Sequence, residues 1–568
     1  MARTTSDFLV ASRSVSPLWN ASAIGGEYLS AASFLGVAGL VMAYGADALW
    51  YPVGFVAGYF VLLLLVAAPL RRSGAYTVPD FAEVRLGSLR LRRLSALTVV
   101  AIGLLYLVPQ LHGAGLALRA TTGAPTQVGA VLVAVVVTVN VAGGGMRSAT
   151  FVQAFQYWLK VTALAVPAVF LVVAWSGDGR PAVNEPVPPT FSQRTTVEVD
   201  TTVRVVVTDP VSVTVDGRSR LLDPGEHVLD EGSTVVFPAG SVVPHVDGLE
   251  PATGRAWALP LSGAGGTDHP LYATYALVLA TFLGTMGLPH VLVRFYTNPD
   301  GRAARRTTLL VLVLLGAFYL LPAVYGALGR LYAPELLMTG RTDAVVLALP
   351  VAALGGTAGD LLQSLLVAGA FAAFLSTSSG LVVTTAGVLA QDVLPGGGAV
   401  GRLRGSVRGF QLAAVGTGAV ALLLALAATT LPLTQVVGLA FAVAASTFCP
   451  LLVLGIWWRG LTATGAATGL LVGGGLSASA VGATLSGAGG DGWTGALLAQ
   501  PAAWTVPIAF AAMVVGSLLT RDTVPADVGR TMLAMHAPDD LGLPGRPDRS
   551  SSGSTARRRQ PLVRRNRG

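Results

Sequence analysis

Apolar runs of about 20 residues, the length that crosses a bilayer as a helix, recur along nearly the whole chain. They predict about twelve membrane-spanning segments, at 18–43, 47–70, 94–119, 127–144, 150–175, 270–297, 307–333, 359–391, 408–430, 433–458, 464–487 and 500–520. Two of them are interrupted. In the first, Gly25-Gly26 stands directly before Glu27, and in the sixth, Gly284, Gly287 and Pro289 break the apolar period; neither residue type favours a continuous helix. Broken helices at corresponding places five segments apart are the pattern of an inverted-repeat transporter with its site at the breaks. Between the fifth and sixth segments the pattern changes. The stretch TTVEVDTTVRVVVTDPVSVTVDGRSRLL alternates apolar and polar residues with the period of a strand, and Asp216-Gly217 is a hairpin turn signal. A small β-rich domain is expected over about 177–268.

Composition agrees with the pattern. Of 568 residues 53% are hydrophobic and 12% charged, with a mean hydropathy of +0.65, outside the range of soluble domains. Arginine then orients the bundle, because basic short loops stay cytoplasmic. Arg71, Arg72, Arg85, Arg90, Arg92 and Arg93 follow the second segment, Arg147 the fourth, Arg302, Arg305 and Arg306 the sixth, and Arg402, Arg404 and Arg408 the eighth. Arg459 and the run Arg557–Arg559 continue the series. Every second loop is basic, so a multi-pass protein of the plasma membrane with both termini inside is expected, and the insertion falls outside. The net charge of +8 thus needs no nucleic-acid partner, and the basic tail adds at most weak affinity for anionic lipid.

The ends and the insertion add little chemistry. Arg3 and Arg13, with no apolar core before Pro17, do not make a signal peptide, so the first helix stays in the mature protein. The only cysteine, Cys449, lies in the tenth segment, which excludes an intrachain disulfide. From about Asp522 one short helix is expected near VGRTMLAMHAPDDLG, followed by a disordered end. The division expected is therefore 1–17 cytoplasmic, 18–176 the first five segments, 177–268 the insertion, 269–458 segments six to ten, 459–521 the last two, and 522–568 the tail.

Polar residues inside the apolar segments mark the candidate site. A charge at the position of Glu27 costs roughly 2.5–3.5 kcal/mol at the bilayer centre, so something must hold it. The glycine pair beside it either packs small residues between helices or unwinds and frees carbonyls for a cation. In the eighth segment Ser376, Thr377, Ser378 and Ser379 form an unbroken hydroxyl run, of which one or two could bond back to their own helix and the rest offer hard oxygen donors. Lys160, the only lysine of the chain, stands about ten residues into the fifth segment. Its readings are interhelical pairing, snorkelling toward the cytoplasm, or a coupling role. His112 and His290 are isolated in sequence, Arg294 is expected near the cytoplasmic end, and no nucleophile-base pair or His/Asp cluster suggests an enzyme.

At these residues the chain resembles the sodium:solute symporter family, and within it the acetate and short-chain monocarboxylate branch. GGEYLSAASFLG resembles the first-helix motif, GGMRSATFVQ the fifth-helix signature, LGTMGLPHVLVRFYT the sixth-helix pattern and FLSTSSGLVVTTAGVLAQD the cation-site helix. The resemblance covers roughly 7–520 apart from the insertion. It implies an all-α, LeuT-like fold of two inverted five-helix repeats and a sodium ion, co-transported, between helices one and eight. The sodium ligands it implies are backbone oxygens of Ala21, Ile24 and Ala373 and hydroxyls of Ser376 and Thr377. Substrate would lie near Glu27, Tyr28, Ser30 and the Gly284 and Gly287 segment, with Gln110 as a wall.

The chain departs from the family pattern in four respects. Family members have one more helix before the core, Glu27 stands where Asp is usual, and Gln153 stands where the family often has Asp. The fourth is Lys160, because in some relatives of this fold an amine on helix five takes the sodium position and links transport to protons. The expected function is thus sodium-driven uptake of a small organic anion such as acetate, propionate or pyruvate by alternating access, with no organic cofactor. Glu27 would face a hydrated cavity, either offset by a cation or protonated. Proton coupling through Glu27 or Lys160 is the alternative within that class, and a membrane sensor using the insertion is the alternative outside it.

Overall fold

The computed structural model describes residues 15–199, 202–247, 251–261, 269–393, 406–427, 433–486, 488, 490 and 492–538. Arg3, Arg13, Arg402, Arg404, Arg557–Arg559 and the expected disordered end lie outside them. The first predicted segment is two helices. Helix α1 (Pro17–Tyr28) starts with proline at its first position, where the missing N–H costs nothing. It ends at Leu29, whose ψ of 85° leaves the helical region. The chain resumes through a π turn at Ala32–Gly36 into α2 (Val37–Tyr44), turns at Gly45 and returns as α3 (Trp50–Val61) and its extension to Arg72.

Helix α4 (Leu89–Thr122) leads into the helical stretch α5, Thr126–Gly177, 52 residues, where the sequence predicts two segments. A straight helix of that length would span about 78 Å, more than twice a bilayer core. The packing shows otherwise. Gly129 lies against Ala114, so the first part is antiparallel to α4. In the last part Gln153 reaches Ser376 and Ala163 lies against Gly369, so it is antiparallel to α10 (Gly356–Val388). Helix α4 opposes α10 as well, with Arg92 at Asp392 and Thr385 at Gly103. The two parts, Thr126–Gly144 and Ser148–Gly177, therefore run in opposite directions, and they are the predicted pair.

The sixth segment is also split. Helix α6 (Pro270–Gly287) stops at Leu288, whose ψ is 115°, and α7 (Pro289–Val293) begins on a proline. Proline disfavours a helical residue before it and donates no N–H to the preceding turn, so the sequence itself forces this break. After it come α8 (Gly301–Tyr332), the short α9 (Val345–Leu354) that the sequence reading missed because ten residues do not span a bilayer, α10, α11 (Val407–Ala427), α12 (Leu433–Trp457), α13 (Ala463–Leu485), α14 (Ala502–Leu519) and the amphipathic α15 (Val528–His536) in the predicted place.

Among the described residues, 11 helices are long and apolar enough to cross a membrane, against about twelve expected. The difference is at the start. Cut at Leu29, α1 is only 12 residues, while α2 and α3 join through Gly45 into one helical stretch, Ala32–Arg72.

The insertion carries seven strands, β1 (Thr195–Glu198), β2 (Val203–Val207), β3 (Val211–Val215), β4 (Arg218–Leu222), β5 (Gly225–Leu229), β6 (Thr234–Phe237) and β7 (His245–Val246), in sheets ordered β1-β6-β3-β4 and β5-β2-β7. All pairs are antiparallel. The expected hairpin is β3–β4, closed at Val215 and Arg218 with φ of 49° at Asp216 and 78° at Gly217, the positive pair a type I′ turn requires. Val205, Val207, Val213, Val235 and Phe237 are buried, so alternate residues cover one face of each sheet.

The two ends of the bundle differ. At one, Arg71 donates to the carbonyls of Asn298 and Pro299, Arg85 to that of Gly455, and Arg92 pairs with Asp80, Glu83 and Asp392. The β domain sits at the other, on the turn between α2 and α3.

Candidate functional site

Where α1 stops, its last carbonyls lose the N–H groups that a continued helix would supply. Such groups must find partners when buried, and here they come from α10 and α5. Ser376 Oγ lies 2.6 Å from the carbonyl of Gly26 and Thr377 Oγ1 2.6 Å from that of Glu27. Lys160 Nζ donates to the carbonyls of Gly26 and Leu29 and, at 2.6 Å, to Ser376 Oγ. The ammonium thus fills the seam between the first break and the hydroxyl run. Of the three readings of Lys160, snorkelling is excluded, since the residue is fully buried with its charged end spent on the break.

The seam's oxygens differ in part from those the resemblance implies. Ser376 and Thr377 are there, and Ala373 contributes its carbonyl to Ser376 Oγ at 3.1 Å. The carbonyls engaged from the first segment, however, are those of Gly26, Glu27 and Leu29. Ala21 and Ile24 lie inside α1, ahead of the break, where carbonyls are committed to the helix's own hydrogen bonds.

Glu27 is held by an arginine. Arg294 Nε stands 2.6 Å from Glu27 Oε2, and both side chains are buried. The same guanidinium donates to Thr150 Oγ1 at 2.8 Å and to Gln153 Oε1, while Gln153 Nε2 donates to the Ser376 carbonyl at 2.8 Å. One expectation is corrected, that for Glu27. Arg294 stands four residues before Asn298, which Arg71 holds at the basic end; the break at Leu288 brings its turn against the start of α1, where Asn20 Nδ2 bonds its carbonyl, and its side chain reaches inward to pair with Glu27. Glu27 faces this arginine and the backbone of Gly380, where a Cβ would collide with Glu27 Oε1, in place of a hydrated cavity. Gln153 also has a positive reason to be an amide. It accepts from an arginine and donates to a carbonyl, and an ionised Asp could not do the second.

Thr150, Gln153, Tyr157 and Lys160 recur at three and four residues on α5, so they form one face of the helix. That spacing is the sequence signal for their cooperation.

The predicted substrate residues surround the first break. Gln110 Oε1 accepts the N–H of Ala31 at 3.0 Å, which caps the restart of the helix. Tyr28 OH bonds Thr285 Oγ1 at 2.8 Å, and its ring meets Tyr59 edge-on at 4.9 Å. Gly284 and Gly287 serve packing: a Cβ at either would strike the carbonyl of Phe441 or Ala444 on α12. Several polar atoms here are buried without a partner, namely Glu27 Oε1, Tyr59 OH, Gln110 Nε2 and both ring nitrogens of His290. Ser30 Oγ is without a partner in hydrogen-bond geometry too, with the Tyr106 hydroxyl beside it. Buried polar groups are normally satisfied. A cluster of unsatisfied ones at a helix break, walled by Phe55, Tyr106 and Phe441, is what a small polar ligand would complete. His112, partly buried on α4, takes no part in any hydrogen bond or ring contact described.

The profile of the sodium:solute symporter family matches residues 8–209 and 256–473 of this chain. The chain is 30% identical over 532 residues to the uncharacterized symporter YwcA of Bacillus subtilis, covering 92% of this chain and 90% of that one. It is 30% identical over 556 residues to a monocarboxylic acid transporter of Corynebacterium glutamicum, covering 93% and 89%. Among solved structures it superposes on a substrate-bound, outward-open Na+-coupled sialic acid symporter with a TM-score of 0.59 at 12% identity, covering 92% of this chain and 93% of that one. It also superposes on Mhp1, a nucleobase-cation-symport-1 family transporter with bromovinylhydantoin bound, with a TM-score of 0.51 at 12% identity, covering 93% and 98%. The expected fold class, a helical LeuT-like bundle with a small β insertion, is the one these likenesses and the coordinates give.

Proposed function

Because this chain belongs to the sodium:solute symporter family, and is a multi-pass membrane transporter and not an enzyme, we propose that it takes up small monocarboxylates such as acetate, propionate or pyruvate with Lys160 carrying the coupling proton. The observation behind this reading is the ammonium of Lys160 on Gly26, Leu29 and Ser376, the seam where the family resemblance puts sodium. Charge bookkeeping gives the coupling. Glu27 and Arg294 cancel each other, so a protonated Lys160 leaves the core with one excess positive charge, which is costly in hydrocarbon. A substrate carboxylate removes the excess when bound, and loss of the proton removes it when the site is empty. Only the fully loaded and fully empty cores are neutral, so only they cross between outward- and inward-facing states at low cost.

The substrate class draws support from the monocarboxylic acid transporter at 30% identity and from donors at the break that suit a carboxylate, Gln110 Nε2 and Tyr59 OH. The basic end of the bundle, with Arg71, Arg85 and Arg92, supports a cytoplasmic assignment for that side and for both termini in the plasma membrane, with the β domain outside. Sodium coupling is the second reading, favoured by the Na+-coupled structural neighbour and by the two seam hydroxyls.

Uptake of labelled acetate and pyruvate into liposomes holding the purified protein separates the readings. Under proton coupling, accumulation follows an inward proton gradient without sodium, and Lys160→Met abolishes it together with exchange of labelled for unlabelled substrate, because the loaded core then carries an uncompensated negative charge. Accumulation that needs a sodium gradient and disappears in Ser376→Ala/Thr377→Ala overturns it in favour of sodium.

A further inference from the structure

The β domain touches the transport bundle at a place where movement matters. After its last strand, a short helix, Gly254–Ala258, carries Trp257, which is buried against the end of α2. Trp257 Nε1 donates to the carbonyl of Val41 at 2.9 Å, with that of Met42 at 3.3 Å. The Met42 carbonyl also accepts from Arg330 Nη1 of α8 at 3.0 Å, and this guanidinium stands 5.1 Å over the Trp257 ring. Ala252 N donates to the Ala43 carbonyl at 2.9 Å, and Leu261 N to Asp47. Three carbonyls in the last turn of α2, those of Val41, Met42 and Ala43, therefore each accept from the segment that closes the β domain, two of them from one tryptophan. The turn beyond them passes directly beneath Trp257: Gly45 has φ of 64°, and a Cβ there would collide with the Trp257 carbonyl.

Helix α2 ends the half of the first spanning segment beyond the break, which resumes as a helical turn at Ala31 and is joined to α1 through Leu29 and Ser30. A break of this kind lets the two halves move as separate bodies. We propose that Trp257 is a positioning residue for transport, through which the β domain fixes the pose of α2 and so the opening at that end of the bundle. The inference rests on the symport reading above. It gives the insertion a mechanical task, in place of a ligand-binding or covering one.

The test uses the full-length protein in liposomes. Trp257→Phe keeps a ring over Arg330 and loses the N–H, and it is expected to raise the substrate KM for uptake about fivefold, the size of one lost hydrogen bond, with the maximal exchange rate kept. Trp257→Ala is expected to shift KM further in the same direction. An unchanged KM in folded Trp257→Phe protein overturns the proposal. A second readout does not depend on transport: Leu49→Cys, at an exposed position just past the turn, is labelled with a membrane-impermeant maleimide while the native Cys449 stays buried. The rate is expected to rise several-fold on adding Trp257→Phe, and an unchanged rate again overturns the clamp. If the wild-type chain takes up none of the substrates, the symport reading fails and the labelling rate decides this one alone.

Discussion

At the residue scale, the buried charges make sense only together. Glu27, Arg294 and Lys160 each sit where an isolated charge would be expensive, and each is held by partners on a different helix. Removing one member of such a pair leaves the other uncompensated, at a cost of about 3–5 kcal/mol. Glu27→Ala and Arg294→Ala are accordingly expected each to lower the thermal midpoint in detergent strongly, and the double variant to fall short of the sum. Additive losses would show that the ion pair contributes nothing of its own. Gln153 was read from the sequence as a lost acid; in the structure its amide is the link from Arg294 to the Ser376 carbonyl, so Gln153→Glu is expected to weaken accumulation.

At the scale of elements, two broken helices are held by close approach of backbones. The break in α6 follows from Pro289 alone, but the one in α1 needs the hydroxyls of α10 and the amine of α5 to occupy its carbonyls. Gly380 lets α10 come that near to Glu27. Gly380→Ala is expected to cost about 1–3 kcal/mol of stability, as overpacking does, and to suppress uptake. Gly416→Ala on α11, where a Cβ meets open space, is the matched control and is expected to leave both unchanged. Equal behaviour of the two variants would remove the close approach from the account.

At the scale of the whole molecule, a neutral loaded core predicts electroneutral transport. One proton and one monocarboxylate carry no net charge together, so accumulation in liposomes is expected to be insensitive to a potassium-diffusion potential clamped with valinomycin. Accumulation that grows with an inside-negative potential would require additional cations and would overturn the charge balance around Lys160. The β domain belongs to this scale too, since its hold on α2 at one end is matched at the other by the Arg92 cluster with Asp80, Glu83 and Asp392.

Sequence alone determined most of the membrane-spanning pattern, the break before Pro289, the β3–β4 hairpin and the family, because apolar length, proline and turn chemistry act locally and leave their mark in consecutive residues. By family motif it put Ser376, Thr377 and Gln110 beside the first segment, and it left Lys160 among three readings. What it could not determine was which oxygen meets which donor. The partners of Lys160 lie 131 and 216 residues away and the partner of Glu27 lies 267 away, and no periodicity encodes such distances. The tertiary structure paired Arg294 with Glu27, engaged the carbonyls of Gly26, Glu27 and Leu29 at the seam, and set an ammonium in it. Buried charges settle where helices from both halves of the chain converge, and that convergence exists only once the bundle has formed.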